Sequence, residues 1–167
     1  MERLVCLSCY SIFKKHLLQK NKDGYYMCPL NLGLCHDELV EIDEGLADVI
    51  VKLNKHKVTT LNCCFGHLPK VYSTGPYITF GKSDKEKLLK LQNFIYNQCK
   101  KYNYNIEIEE IKFHEEIKSA YITYENIHSL TIRTKDWSID ILERISQQAS
   151  FLLLLYSILS EASENGF

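Results

Sequence analysis

Five residues near the start of the chain have the types and spacing of a metal shell. Cys6 and Cys9 stand two apart in VCLSCY, and Cys28, Cys35 and His36 follow in MCPLNLGLCH. A C-x-x-C turn holds two thiolates at tetrahedral spacing, and a second pair closes the shell of a structural zinc. The spacing predicts Zn2+ on Cys6, Cys9, Cys28 and Cys35. Six residues separate Cys28 from Cys35 where ribbon knuckles usually repeat C-x-x-C, so His36 competes with Cys35 as fourth ligand. The competing reading is a small layer of buried cysteines. Residues 1–40 are too short a segment to fold alone without a staple, which adds weight to the metal.

A second group sits in TTLNCCFGH, residues 59–67. Adjacent cysteines seldom share one metal, so Cys63, Cys64 and His67 admit three chemistries. His67 can pair with either thiol to make a nucleophile. A second metal can be completed by His114 or Cys99. Or the thiols are small apolar groups closing a central strand, where free cysteine is often buried. Asp43, Glu44, Arg133 and Trp137 are further pocket candidates because they stand near the ends of predicted elements. In TIRTKDW, Arg133, Lys135 and Trp137 make a cation and aromatic cluster suited to a phosphate or a base, or a solvated edge.

The elements that must position these groups follow from periodicity. Leu46, Val49, Ile50 and Leu53 recur at helical spacing behind an Asp43 cap, with Lys55, His56 and Lys57 at the far end. Val58–Asn62 and Val71–Phe80 read as strands around an irregular connection marked by Gly66, Pro69 and Gly75. Ser83 and Glu86 form a capping box before Leu88, Leu91, Ile95 and Cys99, a helix of about 19 residues. Its face carries Lys82, Lys85, Lys87, Lys90, Lys100 and Lys101, either a solvated surface or a contact for RNA, DNA or an acidic protein over residues 82–101. In YNIEIEEIKF the apolar alternation slips at Glu110, which predicts a bulge. The acidic set Glu107, Glu109, Glu110, Glu115 and Glu116 reads as the solvent side of an edge strand. Strands at 120–124 and 130–134 follow, with turns at 114–116 and 125–127.

A last helix spans about Ser138 to Ala162, with Ile141, Ile145, Ala149, Leu152, Leu155 and Leu159 on one stripe. FLLLLY surrounds the cylinder with large side chains, so a single sheet cannot bury them all. Leu153, Leu154 and Ile158 are expected to meet a second copy of the helix, a partner groove or the N-terminal ribbon. The expected architecture is α+β: a zinc ribbon over 1–40, then a domain over 41–167 with about five mixed or antiparallel strands, three helices and a long C-terminal helix.

The 167 residues are 46% hydrophobic and 25% charged, enough for one core and not for two large domains. A net charge of -1 gives no whole-molecule attraction to nucleic acid or membrane, so partners must be recognised locally. Seven cysteines, an odd count, with no small-residue cleavage site after the first apolar stretch, point to a reducing, cytoplasmic setting. FLLLLYSIL is about half a bilayer crossing, so no membrane role is expected. No phosphate-binding loop, dinucleotide fingerprint, H-E-x-x-H or G-x-S-x-G occurs.

ELVEIDEGLADVIVKLNKHKVTTLNCCFGH, with the cysteine knuckle before it and YITF after it, resembles a group of small proteins from phages and low-GC Gram-positive bacteria. In these a zinc ribbon precedes an "EID" helix and a strand ending in a Cys-x-Gly-His turn. The resemblance spans residues 6–80. It implies a phage-type inhibitor or adaptor in the host cytoplasm, acting on a host protein or nucleoprotein or on nucleic-acid-directed defence such as CRISPR. The helix–strand–turn segment is more distantly similar to the wybutosine-synthesis tRNA methyltransferase, which would imply an S-adenosylmethionine-dependent RNA-modifying enzyme with its pocket at the CCFGH turn. Phe65 stands where the commoner motif has a small residue, and His67 where the methyltransferase has arginine.

Overall fold

The computed structural model describes residues 2–6, 8–30, 39–66, 74–119 and 122–167. Cys35, His36 and His67 lie outside them. The fold is α+β, built on a three-stranded sheet, a five-stranded antiparallel sheet and three helices.

In the small sheet β1 (Glu2–Val5) lies between β2 (Ile12–Lys14) and β3 (Val40–Asp43), both antiparallel to it. Side chains alternate across a strand. Leu4 therefore joins a small core with Cys6, Cys28 and Leu39, while Val5 and Ile42 join the large core. This layer is apolar on both faces, which welds it to the rest of the molecule. A division between residues 40 and 41 cuts through β3.

β3 runs straight into α1 (Glu44–Lys55), whose Leu46, Val49, Ile50 and Leu53 are buried as their spacing predicts. Asp43 sits at the cap position, yet its carboxylate bonds elsewhere. β4 (Thr59–Cys64) and β5 (Tyr77–Lys82) pair antiparallel, and β5 pairs with β8 (Ile122–Thr134). The strand expected over 71–80 starts only at Tyr77, with 71–73 outside the described residues. α2 (Lys85–Tyr102) is capped by Asp84, whose Oδ1 accepts the Glu86 N–H at 2.9 Å, one residue after the expected Ser83. Leu88, Leu91 and Ile95 bury its inner face.

β6 (Ile106–Ile108) and β7 (Lys112–Ser119) both pair with β8. Ile108 lies opposite Ile132 and Lys112 opposite Ser129, so three residues face two. The predicted bulge is there, and the acidic set lies on an edge strand. Two expected turns are absent. Residues 114–116 are mid-strand in β7, and 125–127 lie within the continuous β8, where Asn126 takes φ 51°. The turn-favouring Asn became a local irregularity within β8, in the stretch that pairs with β7 alone.

α3 (Ile141–Glu164) starts three residues later than expected, capped by Asp140. It packs on α1 and α2 and buries Arg144, Gln148, Phe151, Leu154, Leu155, Ile158 and Ala162. The expected stripe is thus corrected: Ile141, Ile145 and Ala149 are exposed, while Leu154 and Ile158 are wholly internal. No described helix is long and apolar enough to cross a membrane.

Candidate functional site

The N-terminal cysteines converge. β1 leaves the sheet at Cys6, and the chain turns back through Tyr10, which takes φ 60°. Tyr10 N–H donates to Cys6 O at 2.7 Å and Cys6 N–H to Ser11 O at 3.0 Å, closing the knuckle. Cys28 arrives from the following loop. The sulfurs of Cys6, Cys9 and Cys28 all lie within 4.8 Å of one another, and Cys9 Sγ is 3.7 Å from Cys28 Sγ. With metal–sulfur bonds of about 2.3 Å, the edge of a tetrahedral thiolate shell is about 3.8 Å. Cys6 and Cys28 are buried and Cys9 is half-buried, so three thiols at ligand spacing can hold a metal ion here.

The second cysteine group is built differently. β4 ends at Cys63 and Cys64, opposite Ile78 and Tyr77 of β5. Directly paired residues share a face, so Cys63 packs with Ile78 on the helix-covered side and Cys64 lies beside Tyr77 on the other. The chain after Cys64 is pinned from three elements. Asp43 Oδ2 accepts the Phe65 N–H at 2.8 Å, and Cys64 Sγ accepts the Gly66 N–H at 3.4 Å. Gln148 Nε2 donates to the carbonyls of Phe65 and Gly66 at 2.8 and 3.1 Å. Gly66 has φ 76°, and a Cβ there would stand 2.9 Å from Pro76 Cδ and 3.1 Å from the Trp137 ring. Both conformation and space demand glycine. The Phe65 ring in turn lies over Gly45.

Burial, followed by the nearby Asp43 and Cys64, pushes the Cys63 thiol up from 9.0 to about 12. Burial also raises Cys64, against the pull of the Gly66 N–H. Neither thiol is poised as a thiolate. Among the described residues the metal-competent group is Cys6, Cys9 and Cys28, so Cys63 and Cys64 do not assemble a second shell with Cys99 or His114. His114 instead lies 2.7 Å from Ser129 Oγ on β8, and burial raises the Cys99 thiol.

The expected pocket residues therefore separate. Asp43, Cys63, Cys64 and Trp137 meet at the turn. Glu44 pairs with Arg3 of β1, and Arg133 pairs with Glu109 on the sheet face away from the helices. There Arg133 lines a cleft of about 470 Å³ with Asn62, Tyr77, Thr79 and Thr131. Trp137 is half-buried, with Arg144 5.4 Å above its ring, so it does not offer a free stacking face beside Arg133. Sequence reading missed Gln148 and Arg144, both buried on α3. Their signal was present: 144, 148, 151, 155, 158 and 162 alternate steps of four and three, so the polar pair continues an apolar stripe.

The lysine face is partly gathered. Lys57, Lys82 and Lys87 border one cleft of about 390 Å³ with Ser83, Asp84, Tyr124 and Glu125. Lys82 Nζ donates to Lys57 O, and burial followed by Lys87 lowers its proton affinity. No protein family, curated protein or solved structure matches this chain.

Proposed function

We propose that this chain is a non-catalytic binding protein of the phage inhibitor or adaptor type, acting on a host nucleoprotein or a nucleic-acid-directed defence enzyme, with structural zinc on Cys6, Cys9 and Cys28. Cys35 or His36 would supply the fourth ligand. The bonding at the Cys64–Gly66 turn carries the reading. Gln148 and one carboxylate oxygen of Asp43 bond to the backbone of the turn, Asp43 also bonds the Cys64 thiol, and Cys63 is a half-buried neutral thiol. A corner built this way fixes a shape and offers little acid, base or nucleophile. The cleft bordered by Lys57, Lys82 and Lys87 supports an anionic contact, with Asp84 and Glu125 limiting its strength.

The test pairs two titrations. S-adenosylmethionine followed by calorimetry should give no heat. A fluorescent single-stranded RNA or DNA duplex of about 20 nucleotides should bind at low salt and weaken more than tenfold between 50 and 200 mM salt, as phosphate contacts do. Lys57→Glu with Lys87→Glu should abolish that binding. Micromolar S-adenosylmethionine affinity that disappears in Asp43→Ala would overturn the reading in favour of the methyltransferase-like enzyme. Nucleic-acid binding indifferent to the lysine substitutions would remove the proposed contact.

A further inference from the structure

The outer face of α3 carries a symmetric apolar pattern whose side chains are exposed among the described residues. Leu142, Ile145, Ala149, Leu153 and Tyr156 fall at -7, -4, 0, +4 and +7 from Ala149. At 100° per residue they occupy one stripe about 80° wide, turned away from the buried stripe of Arg144, Gln148 and Phe151. Leu142 is 74% exposed, Leu153 58%, Ile145 48% and Tyr156 41%, and Ala149 is exposed as well. Ile139 and Ile141, also exposed, extend the patch at the start of the helix. No charged side chain lies within the stripe; the acidic Asp140, Glu143, Glu161 and Glu164 fall beside it or at its ends.

We infer that this face pairs antiparallel with α3 of a second copy of the chain, the two-fold axis passing through Ala149. An isologous interface requires that a residue at one offset from the axis meet the residue at the opposite offset. Here Leu142 meets Tyr156 of the second copy, Ile145 meets Leu153, and the small Ala149 at the crossing lets the helices approach. A hydrophobic partner of another kind would need no such symmetry about one position. The size also suits a dimer. The exposed apolar residues offer roughly 600 Å² per copy, on the order of 1,200 Å² across a pair, at the lower end of specific interfaces. A single patch of that size stands at the upper end of what soluble monomers expose, where such patches are often functional. Tyr156 Oη, 3.3 Å from Asp48 Oδ2, places the Asp48–Lys52 ion pair at the rim, where solvent reaches it.

The test is sedimentation of the full chain at 1 to 100 µM. The wild type should approach twice the 19.5 kDa of one chain. Ile145→Glu and Leu153→Glu should each be monomeric at concentrations where the wild type is dimeric, with unchanged circular dichroism because both side chains are exposed. The double variant Ile145→Glu with Leu153→Lys should dimerise again, since the introduced charges face each other only across an antiparallel two-fold. Within one helix they stand eight residues and about 12 Å apart. A wild type that stays monomeric at 100 µM overturns the inference. So does a dimer that either single variant leaves intact, or a double variant that stays monomeric.

Discussion

Two clusters of cysteine stand in this molecule, and their surroundings give the same side chain opposite work. At the N-terminus Cys6, Cys9 and Cys28 aim three sulfurs at one point, and the small core around them holds Leu4 and Leu39. At the end of β4 the sulfurs diverge: Cys63 turns under the helices, and Cys64 accepts a backbone N–H. The first group lacks apolar mass and has convergent ligands. The second lacks convergence, and lies beside a core of more than 20 buried side chains. What separates a ligand from a core atom is whether neighbouring sulfurs share a focus, which spacing along the chain reveals only for C-x-x-C.

The sharpest way to break the contrast is to remove the metal. Protein purified without chelator should carry close to one equivalent of zinc, and Cys6→Ser with Cys9→Ser should carry less than half. β1 is anchored by Val5 in the large core, so the double variant should lose amide protection over the knuckle and the loop after it, residues 8–30, and keep it in β1. Cys63→Ser with Cys64→Ser should leave the zinc content unchanged. Equal loss in both pairs would mean that the clusters act on one site.

Next in size is the pinning of the turn. Gln148→Leu leaves the Phe65 and Gly66 carbonyls without their donor, at about 1 to 3 kcal/mol for a buried group left unsatisfied. For a chain of this length that lowers the melting temperature by roughly 3 to 10 °C. The zinc content should not change, because α3 reaches the turn and not the knuckle. An unshifted melting curve would show that the turn does not depend on Gln148.

A smaller effect is expected where α1 meets the turn. Glycine in a helix is worse than alanine by about 1 kcal/mol, yet a Cβ at Gly45 would collide with the Phe65 ring. Gly45→Ala alone should therefore destabilise by about 1 kcal/mol. In a Phe65→Ala background the same substitution should stabilise. A cycle without that change of sign would show that the ring moves aside freely.

Much of this was legible. The α1 and α2 cores, the bulge at 109–111 and the C-x-x-C knuckle follow from period and spacing, which local chemistry dictates. The turns at 114–116 and 125–127 were misread because Glu is uncommon in strands and Asn favours turns, while the pairing of β7 with β8 runs through both segments and absorbs the left-handed Asn126. Gln148 escaped because its partners, the Phe65 and Gly66 carbonyls, are more than 80 positions away. The face of α3 was misassigned because it carries two apolar stripes, and one of them is completed inward by Arg144 and Gln148. A polar residue in phase with a stripe is as much a sign of burial as a leucine, provided a distant backbone answers it.

The smallest effect at neutral pH separates the two clusters by proton affinity. Folding raises the Cys63 thiol from its ordinary 9.0 to about 12, so the folded state holds that proton more tightly than the unfolded chain. The stabilisation is complete below about pH 9 and is lost as pH rises toward about 12. Cys63→Val keeps an apolar group under the helices and removes the proton. Stability should then fall less steeply over that window in the variant than in the wild type. Cys64, Cys99 and Tyr77 are also raised by burial, and they keep part of the slope in both proteins. At pH 8 the native Cys63 holds about a thousandfold less thiolate than an ordinary thiol, so iodoacetamide should label it far more slowly than an unfolded control. Parallel stability curves for wild type and Cys63→Val between pH 9 and 12, or labelling of Cys63 at the control rate, would mean that Cys63 is a solvated thiol, and the corner would again be open to chemistry.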